Sequence, residues 1–92
     1  MKIDLSNKNF LVTGSAGIGV GSGICKAIDL AGGTLVINGH SEEKVEEAAK
    51  KYNNAVGVVA DISKSEEVER LFHEIKTNLG YLHGVINNAG IG

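Results

Sequence analysis

Short apolar runs alternate with longer amphipathic segments along the whole chain. Four of these runs are bounded by polar or glycine residues, and they cover residues 10–12, 35–37, 56–60 and 82–86, the last with polar His83 and Gly84 within it. A short continuous apolar run between turn residues is typical of a strand buried in a parallel sheet. The pattern therefore predicts four strands.

Three amphipathic helices are predicted between those strands, because apolar residues recur there at spacings of three and four. The first covers residues 22–31, and Ser41 caps the second. Ser63 and Glu66 have the spacing of a capping box at the start of the third, which ends at Gly80. The positions predicted to face the sheet are Ile24, Ala27, Ile28 and Ala31 in the first helix, Val45, Ala48, Ala49 and Tyr52 in the second, and Val68, Leu71, Phe72, Ile75 and Leu79 in the third.

This order of elements predicts an α/β fold. Strands that alternate with helices form a parallel sheet, and right-handed crossovers then place the helices on its two faces. The expected fold is a doubly wound parallel sheet with the order β-α-β-α-β-α-β and the strand order 3-2-1-4. With 92 residues there is room for one domain.

Composition and charge exclude several classes of protein. The net charge is -2 and no segment is strongly basic, so we expect no nucleic-acid partner. No apolar stretch approaches the roughly 18 residues of a membrane span, and we expect no membrane partner and a cytoplasmic location. Cys25 has no second cysteine to pair with, and its apolar surroundings predict a small buried residue. The three histidines are too widely spaced to predict a metal site.

The 13 glycines concentrate between Gly14 and Gly39, and several of them lie in the loop between the first strand and the first helix. Glycines at that place permit a tight turn and let main-chain N–H groups approach a phosphate at a helix N-terminus. The spacing Gly-x-Gly-x-x-Gly does not occur in the loop, and no Gly-Lys-Ser/Thr follows that would indicate a Walker loop. The loop predicts a phosphate-bearing ligand, with a flexible turn that binds nothing as the alternative.

Thr13-Gly14 is followed after four residues by Gly19-Val20-Gly21. This motif and two others resemble those of the short-chain dehydrogenase/reductase family, in which the first motif has one residue fewer. A rival alignment uses Gly17-Ile18-Gly19 and needs two insertions in the helix. Ala60-Asp61-Ile62 follows the third strand, and Asn87-Asn88-Ala89-Gly90 follows the fourth, as in the family. Without the resemblance, Asp61 is a polar loop residue before a helix, and the two asparagines are ordinary turn residues.

The resemblance implies a partial Rossmann fold, with residues 1–92 as the N-terminal part of a dinucleotide-binding domain. It also implies that the Asp61 carboxylate contacts the adenine ring. NADP is favoured over NAD, because Gly39 stands where NAD-binding folds of this kind place an acid on the ribose 2′-hydroxyl. The residues expected to bind the cofactor are Gly14, Ser15, Gly17, Ile18, Gly19, Val20, Gly21, Gly39, His40, Ser41, Asp61, Ile62, Asn88, Ala89 and Gly90.

The residues that perform catalysis in the family are not found in this sequence. Members transfer a hydride between nicotinamide and a carbonyl or alcohol, and a Tyr-x-x-x-Lys pair assisted by a serine moves the proton. Here Val56 stands four residues after Tyr52, and Val85 stands four residues after Tyr81. We therefore predict that this chain alone is inactive, and its substrate cannot be read from the sequence.

An alternative function follows from the predicted sheet. The fourth strand would have an unpaired outer edge, which favours self-association or a small nucleotide-binding or interaction module that pairs this edge with a partner chain. A flavodoxin-like receiver is a weaker alternative, because the first strand ends in Thr13-Gly14 and not in an acidic pair.

Overall fold

A computed structural model describes residues 3–14 and 20–87, apart from the side chains of residues 20–22 and 87. In this part of the chain strands and helices alternate, as the sequence predicts. The elements are β1 (Asn9–Thr13), α1 (Val20–Leu30), β2 (Thr34–Gly39), α2 (Glu42–Ala49), β3 (Ala55–Val59), α3 (Ser65–Leu79) and β4 (Gly84–Asn87).

The four strands form one parallel sheet in the order β3-β2-β1-β4, which confirms the predicted order. Leu11 in the middle of β1 pairs with Val36 of β2 on one side and with Val85 of β4 on the other. Because every pair of neighbours is parallel, the carboxyl ends of all four strands lie at one edge of the sheet.

Each face of the sheet has its own apolar cluster. Side chains of α1 and α2, among them Cys25, Ile28 and Ala48, pack on the face that contains Val12. Helix α3 packs on the other face through Leu71 and Ile75. The expectation that Cys25 is a small buried residue is confirmed, since its exposed fraction is 1%.

Helix α1 differs in detail from the prediction. It begins two residues earlier than expected, at Val20. Cys25 and Ile28 are buried on its inner side, Ile24 is half-buried, and Ala27 is exposed. The prediction that Ala27 faces the sheet was therefore wrong, because the buried face of α1 runs through Cys25 and Ile28, and the helical turn places Ala27 to the other side.

The helix ends are set by local hydrogen bonds. The Ser41 hydroxyl accepts the Lys44 N–H at 3.4 Å and caps α2 as predicted. Gly80 ends α3 with a φ of 86°, a conformation that favours glycine. The predicted capping box of α3 was wrong, because its N-cap is Lys64, which makes no side-chain bond. The Ser63 hydroxyl donates to the Asp61 carboxylate instead.

The face under α3 is incompletely covered beside β4. Phe72 of α3 is 43% exposed and Val85 of β4 is 55% exposed. An apolar cavity of about 140 Å³ lies between them and is also lined by Leu11 and Ile62. Within residues 3–14 and 20–87, β4 pairs with β1 alone. None of the helices in this part of the chain is long and apolar enough to cross a membrane.

Candidate functional site

The carboxyl edge of the sheet brings together residues that are far apart in sequence. β1 ends at Thr13 and is followed by Gly14, while β2 ends at Gly39 and is followed by His40. Asp61 lies just beyond the end of β3. The parallel register places these ends side by side, so the sequence-predicted residues Gly14, Gly39, His40 and Asp61 share one edge.

The chain leaves β1 through a turn that needs a glycine. Gly14 has a φ of 66°, in the left-handed region where a side chain is disfavoured. Thr13 before it is 7% exposed, and its hydroxyl donates to the Ile86 carbonyl at 3.4 Å. This bond joins the carboxyl ends of β1 and β4 and fixes the point where the glycine-rich segment begins.

Helix α1 begins beyond that segment and has no acidic residue in its first turn. Glu42 and Glu43 occupy the first turn of α2, and Glu66 and Glu67 that of α3. A carboxylate in the first turn interacts favourably with the partial positive charge of a helix N-terminus. In α1 no carboxylate of its own first turn competes with an external anion for that charge.

Asn38 joins the ends of β2 and β3, and the sequence analysis missed its role. The side chain is 1% exposed, and its Nδ2 donates to the carbonyls of Val58 and Ala60, each at 3.2 Å. The Ala60 N–H donates to the Gly39 carbonyl at 3.0 Å, just beyond the last paired residues of β2 and β3. The sequence does show that polar Asn38 follows directly on the apolar run 35–37. An asparagine at that position is also typical of the start of a turn, so the sequence alone did not indicate a bond to β3.

Asp61 lies in a tight turn of its own. Its Oδ1 accepts the Ser63 hydroxyl at 2.6 Å and the Ser63 N–H at 3.0 Å. These hydrogen bonds hold the pKa of Asp61 below its ordinary value, and the nearby charges of Lys64 and His40 lower that pKa further. Asp61 is therefore ionised at neutral pH, and the end of β2 brings His40 close enough to interact with it.

Glu67 and Arg70 connect α3 to the loop that carries Asp61. Glu67 Oε1 accepts the Asp61 N–H at 3.3 Å, and Glu67 Oε2 lies 3.1 Å from Arg70 Nε. The Arg70 guanidinium also donates to the carbonyl of Val59, the last residue of β3. The hydrogen bonds from Arg70 and from the Asp61 main chain hold the pKa of Glu67 below its ordinary value.

The other residues predicted to bind the cofactor either lie in neighbouring elements or fall outside the described part of the chain. Ser41 caps α2, and Ile62 is half-buried and packs on the cluster under α3. Val20 and Gly21 form the start of α1. Ser15, Gly17, Ile18, Gly19, Asn88, Ala89 and Gly90 lie outside the described residues. Among the described residues, no group of three or more His, Cys, Asp or Glu side chains could hold a metal ion.

We predict that Ser63→Ala raises the pKa of Asp61 toward its ordinary value, because the hydroxyl is the main cause of the lowering. A lowered folded-state pKa means that the unfolded chain binds the proton more tightly. Stability from Asp61 is thus present above its unfolded pKa of about 3.9 and is lost as the pH falls through the folded value. Carboxyl-carbon NMR titration measures the change.

Ser6→Ala is the matched control for that titration. Asp4 accepts the hydroxyl and the N–H of Ser6 in the same arrangement, and the Asp4 pKa is lowered by these bonds. In Ser6→Ala the pKa of Asp4 should rise while that of Asp61 stays unchanged. An Asp61 pKa that does not move in Ser63→Ala would contradict the assigned cause.

Comparison with known proteins agrees with this geometry. Residues 8–92 match the family model of the short chain dehydrogenases. The chain is 45% identical over 91 residues to a hydroxynaphthalene reductase-like protein Arp2 of Metarhizium anisopliae, and the match covers 94% of the chain and 34% of that relative. It is 38% identical over 93 residues to the 2-dehydro-3-deoxy-D-gluconate 5-dehydrogenase of Formosa agariphila, covering 96% of the chain and 35% of the relative.

A solved structure has the same fold. The L-sorbose reductase of Gluconobacter frateurii, complexed with NADPH and L-sorbose, superposes with a TM-score of 0.90 at 26% identity. That match covers 100% of this chain and 36% of the reductase. The chain thus spans about a third of the length of the curated relatives described above, at 34% and 35%.

Proposed function

This chain belongs to the short-chain dehydrogenase family of oxidoreductases, and on that premise we propose that it binds the adenosine diphosphate half of NADP or NAD at the carboxyl edge of its sheet. The observation that carries the proposal is the meeting of Gly14, Gly39 and Asp61 at that edge, beside the acid-free first turn of α1. In doubly wound folds, ligands bind outside the carboxyl ends of the strands.

The donors and charges present fit such a ligand. Gly14 begins the segment whose main chain, up to the first turn of α1, would surround the diphosphate. Gly39, His40 and Ser41 would line the adenosine ribose, and Asp61 with Ile62 would hold the adenine. Asn88, Ala89 and Gly90 would continue the site beyond β4. An ionised Asp61 suits an acceptor role, because adenine presents an amino group as a donor.

NADP is the preferred cofactor in this proposal. Gly39 follows Asn38 at the end of β2. His40 comes next, and Lys44 lies in the α2 segment shortly after it. A glycine adds no negative charge where a 2′-phosphate would lie, the His40 ring could donate a hydrogen bond to one, and the charge of Lys44 attracts one. The L-sorbose reductase that shares this fold was crystallised with NADPH.

The proposed role in a reaction is to bind and orient the cofactor. A bound nicotinamide supplies the hydride that passes to or from a carbonyl or alcohol group. Proton transfer needs a Tyr-x-x-x-Lys pair with its serine, and neither Tyr52 nor Tyr81 has a lysine four residues later. We propose that residues 1–92 form a partial dinucleotide-binding domain without activity of its own, and that its compartment is the cytoplasm.

Among the described residues β4 pairs with β1 alone, and its other edge supports a second candidate function. Val85 and Phe72 together expose an apolar surface beside that edge, at 55% and 43% exposure. Such a surface next to unpaired main-chain groups favours association with another chain or a second copy. Protection of the amides of residues 84–86 from exchange, growing with protein concentration, would support this role.

Calorimetric titration with NADPH, NADH and ADP-ribose tests the proposed function. We expect ADP-ribose to bind about as well as the dinucleotides, because the proposed contacts lie on the adenosine half. Asp61→Asn keeps the acceptor for Ser63 but removes the charge, and it should weaken binding about ten-fold, the effect of one charge-assisted hydrogen bond.

Asp4→Asn is the matched control for the titration, since Asp4 makes the same turn with Ser6 but precedes β1. It should bind like the wild type. Equal binding by Asp61→Asn and the wild type would overturn the role of Asp61. Micromolar binding together with turnover of a carbonyl substrate would refute the view that the chain alone is inactive.

A further inference from the structure

We propose that Glu67 is a positioning residue for the adenine end of the site. It acts through Asp61, whose main chain it holds in the place that adenosine binding requires. The inference deepens the proposed function and depends on it. It assigns a role to a residue of α3 that the sequence motifs did not include.

The first support is the use of both Glu67 carboxylate oxygens. Oε1 accepts the Asp61 N–H at 3.3 Å and an Arg70 Nη2 hydrogen at 3.2 Å, while Oε2 accepts Arg70 Nε at 3.1 Å. Glu67 also lies in the first turn of α3, where the helix N-terminus stabilises a negative charge. Its side chain is therefore held in one orientation before any ligand arrives.

The second support is the connection back to the sheet. Arg70 Nη2 donates to the carbonyl of Val59, so Arg70 and Glu67 span the loop from the last residue of β3 to Asp61. The planar guanidinium fixes the relative directions of its partners. Asp61 is thereby held at a defined distance from the end of its own strand.

The third support concerns the direction of the Asp61 carboxylate. Its bonds to Ser63 orient the side chain relative to the local main chain, and the bond to Glu67 orients that main chain relative to α3. Both are needed to point the carboxylate at one place. Loss of the Glu67 bond should therefore affect the ligand even when the turn with Ser63 remains.

The effect on ligand binding should exceed the effect on folding. The side chains of Arg70 and Glu67 are 42% and 33% exposed, and ion pairs this exposed contribute little to stability. A mobile loop, by contrast, lowers the affinity for the ligand directly. The loop that carries Asp61 would have to be ordered when the ligand binds, and the entropy lost in that step opposes binding. A variant of Glu67 should fold normally and bind adenosine ligands poorly.

The test compares Glu67→Ala, Glu67→Gln and Glu74→Ala by titration with adenosine monophosphate, ADP-ribose and nicotinamide mononucleotide. Glu67→Ala should weaken the two adenosine ligands about ten-fold, and nicotinamide mononucleotide, which lacks the adenosine, should show no saturable binding to the wild type or the variant. Glu67→Gln keeps a carbonyl acceptor and should stay within about three-fold of the wild type. Glu74→Ala removes another partner of Arg70, 3.0 Å from Nη1, without touching the loop, and should behave as the wild type.

Hydrogen exchange at the Asp61 amide gives a second readout. The amide should exchange faster in Glu67→Ala than in Glu74→Ala, while the amides of the strands stay protected in both. If the wild type binds ADP-ribose and Glu67→Ala binds it equally well, the role of Glu67 is overturned and the proposed function stands. If the wild type binds no ADP-ribose, the proposed function fails and the role of Glu67 fails with it.

Discussion

Asn38→Asp is expected to destabilise the fold by about 3 kcal/mol or more, the scale of a buried charge left without a partner. The amide nitrogen of Asn38 donates to two carbonyl oxygens, and the side chain is 1% exposed. A carboxylate there would lose both donors and face two acceptors. A small domain of this size has only about 5 kcal/mol of stability to lose.

The loss should also depend on pH in a defined direction. Burial and the facing carbonyls raise the pKa of the introduced carboxyl in the folded state, so the folded variant binds the proton more tightly than the unfolded chain. The variant is then least impaired below the unfolded pKa of about 3.9, and it loses stability as the pH rises from there to the folded value. The pKa values of Asp61 and Glu67 are lowered, so these two residues make the folded state more stable as the pH rises, in the wild type and in the variant alike.

Urea denaturation of wild type and variant across pH 4 to 8 measures this difference. Asn54→Asp makes the same chemical change at an exposed position and should shift stability by no more than about 0.5 kcal/mol. A variant as stable as the wild type at neutral pH would contradict the view that Asn38 joins β2 to β3. A difference in unfolding free energy between the wild type and Asn38→Asp that does not grow with pH would contradict the same view.

Leu71→Ala is expected to cost about 2–5 kcal/mol, the range for truncating a buried leucine, while Phe72→Ala should cost only about 1 kcal/mol. Leu71 is 1% exposed at the centre of the cluster under α3, and the larger Phe72 is 43% exposed beside the open part of the sheet. The smaller side chain should therefore matter more.

Chemical denaturation of the two neighbouring variants tests this order directly. Because α3 also carries Glu67, the Leu71 variant should lose protection at the Asp61 amide, and the Phe72 variant should keep it. An equal or larger loss of stability in Phe72→Ala would mean that the face beside β4 is covered in solution, as self-association through that surface would require.

The order of strands and helices could be predicted from the sequence because it depends on local patterns. Apolar runs between glycines and polar residues predicted the strands, and the doubly wound fold that the alternation indicates has the order 3-2-1-4, which the structure confirms. The exposure of Phe72 could not be read from α3 alone. A helical stripe shows which residues are apolar, but it does not show how much of the sheet lies beneath each one.

The site was predictable in part for a related physical reason. Gly14, Gly39, His40 and Asp61 lie at or just beyond the carboxyl ends of strands, so a parallel sheet brings them together. Asn38 was missed because its partners lie 20 and 22 residues away, beyond any local pattern. The capping box at Ser63 failed because the Ser63 N–H, which would donate to Glu66, donates to the Asp61 carboxylate instead, and the sequence does not show which of the two carboxylates accepts it.

The account depends most on the claim that adenosine diphosphate binds at the carboxyl edge of the sheet. Amide NMR spectra of the labelled chain, recorded as ADP-ribose is added, test this directly. We expect the amides of Gly14, Gly39, His40 and Asp61 to shift together with one saturation curve, and those of Asn54 and Gly80 at the opposite edge to stay unchanged. Shifts confined to Asn54 and Gly80, or no saturable shift at the carboxyl edge, would contradict it.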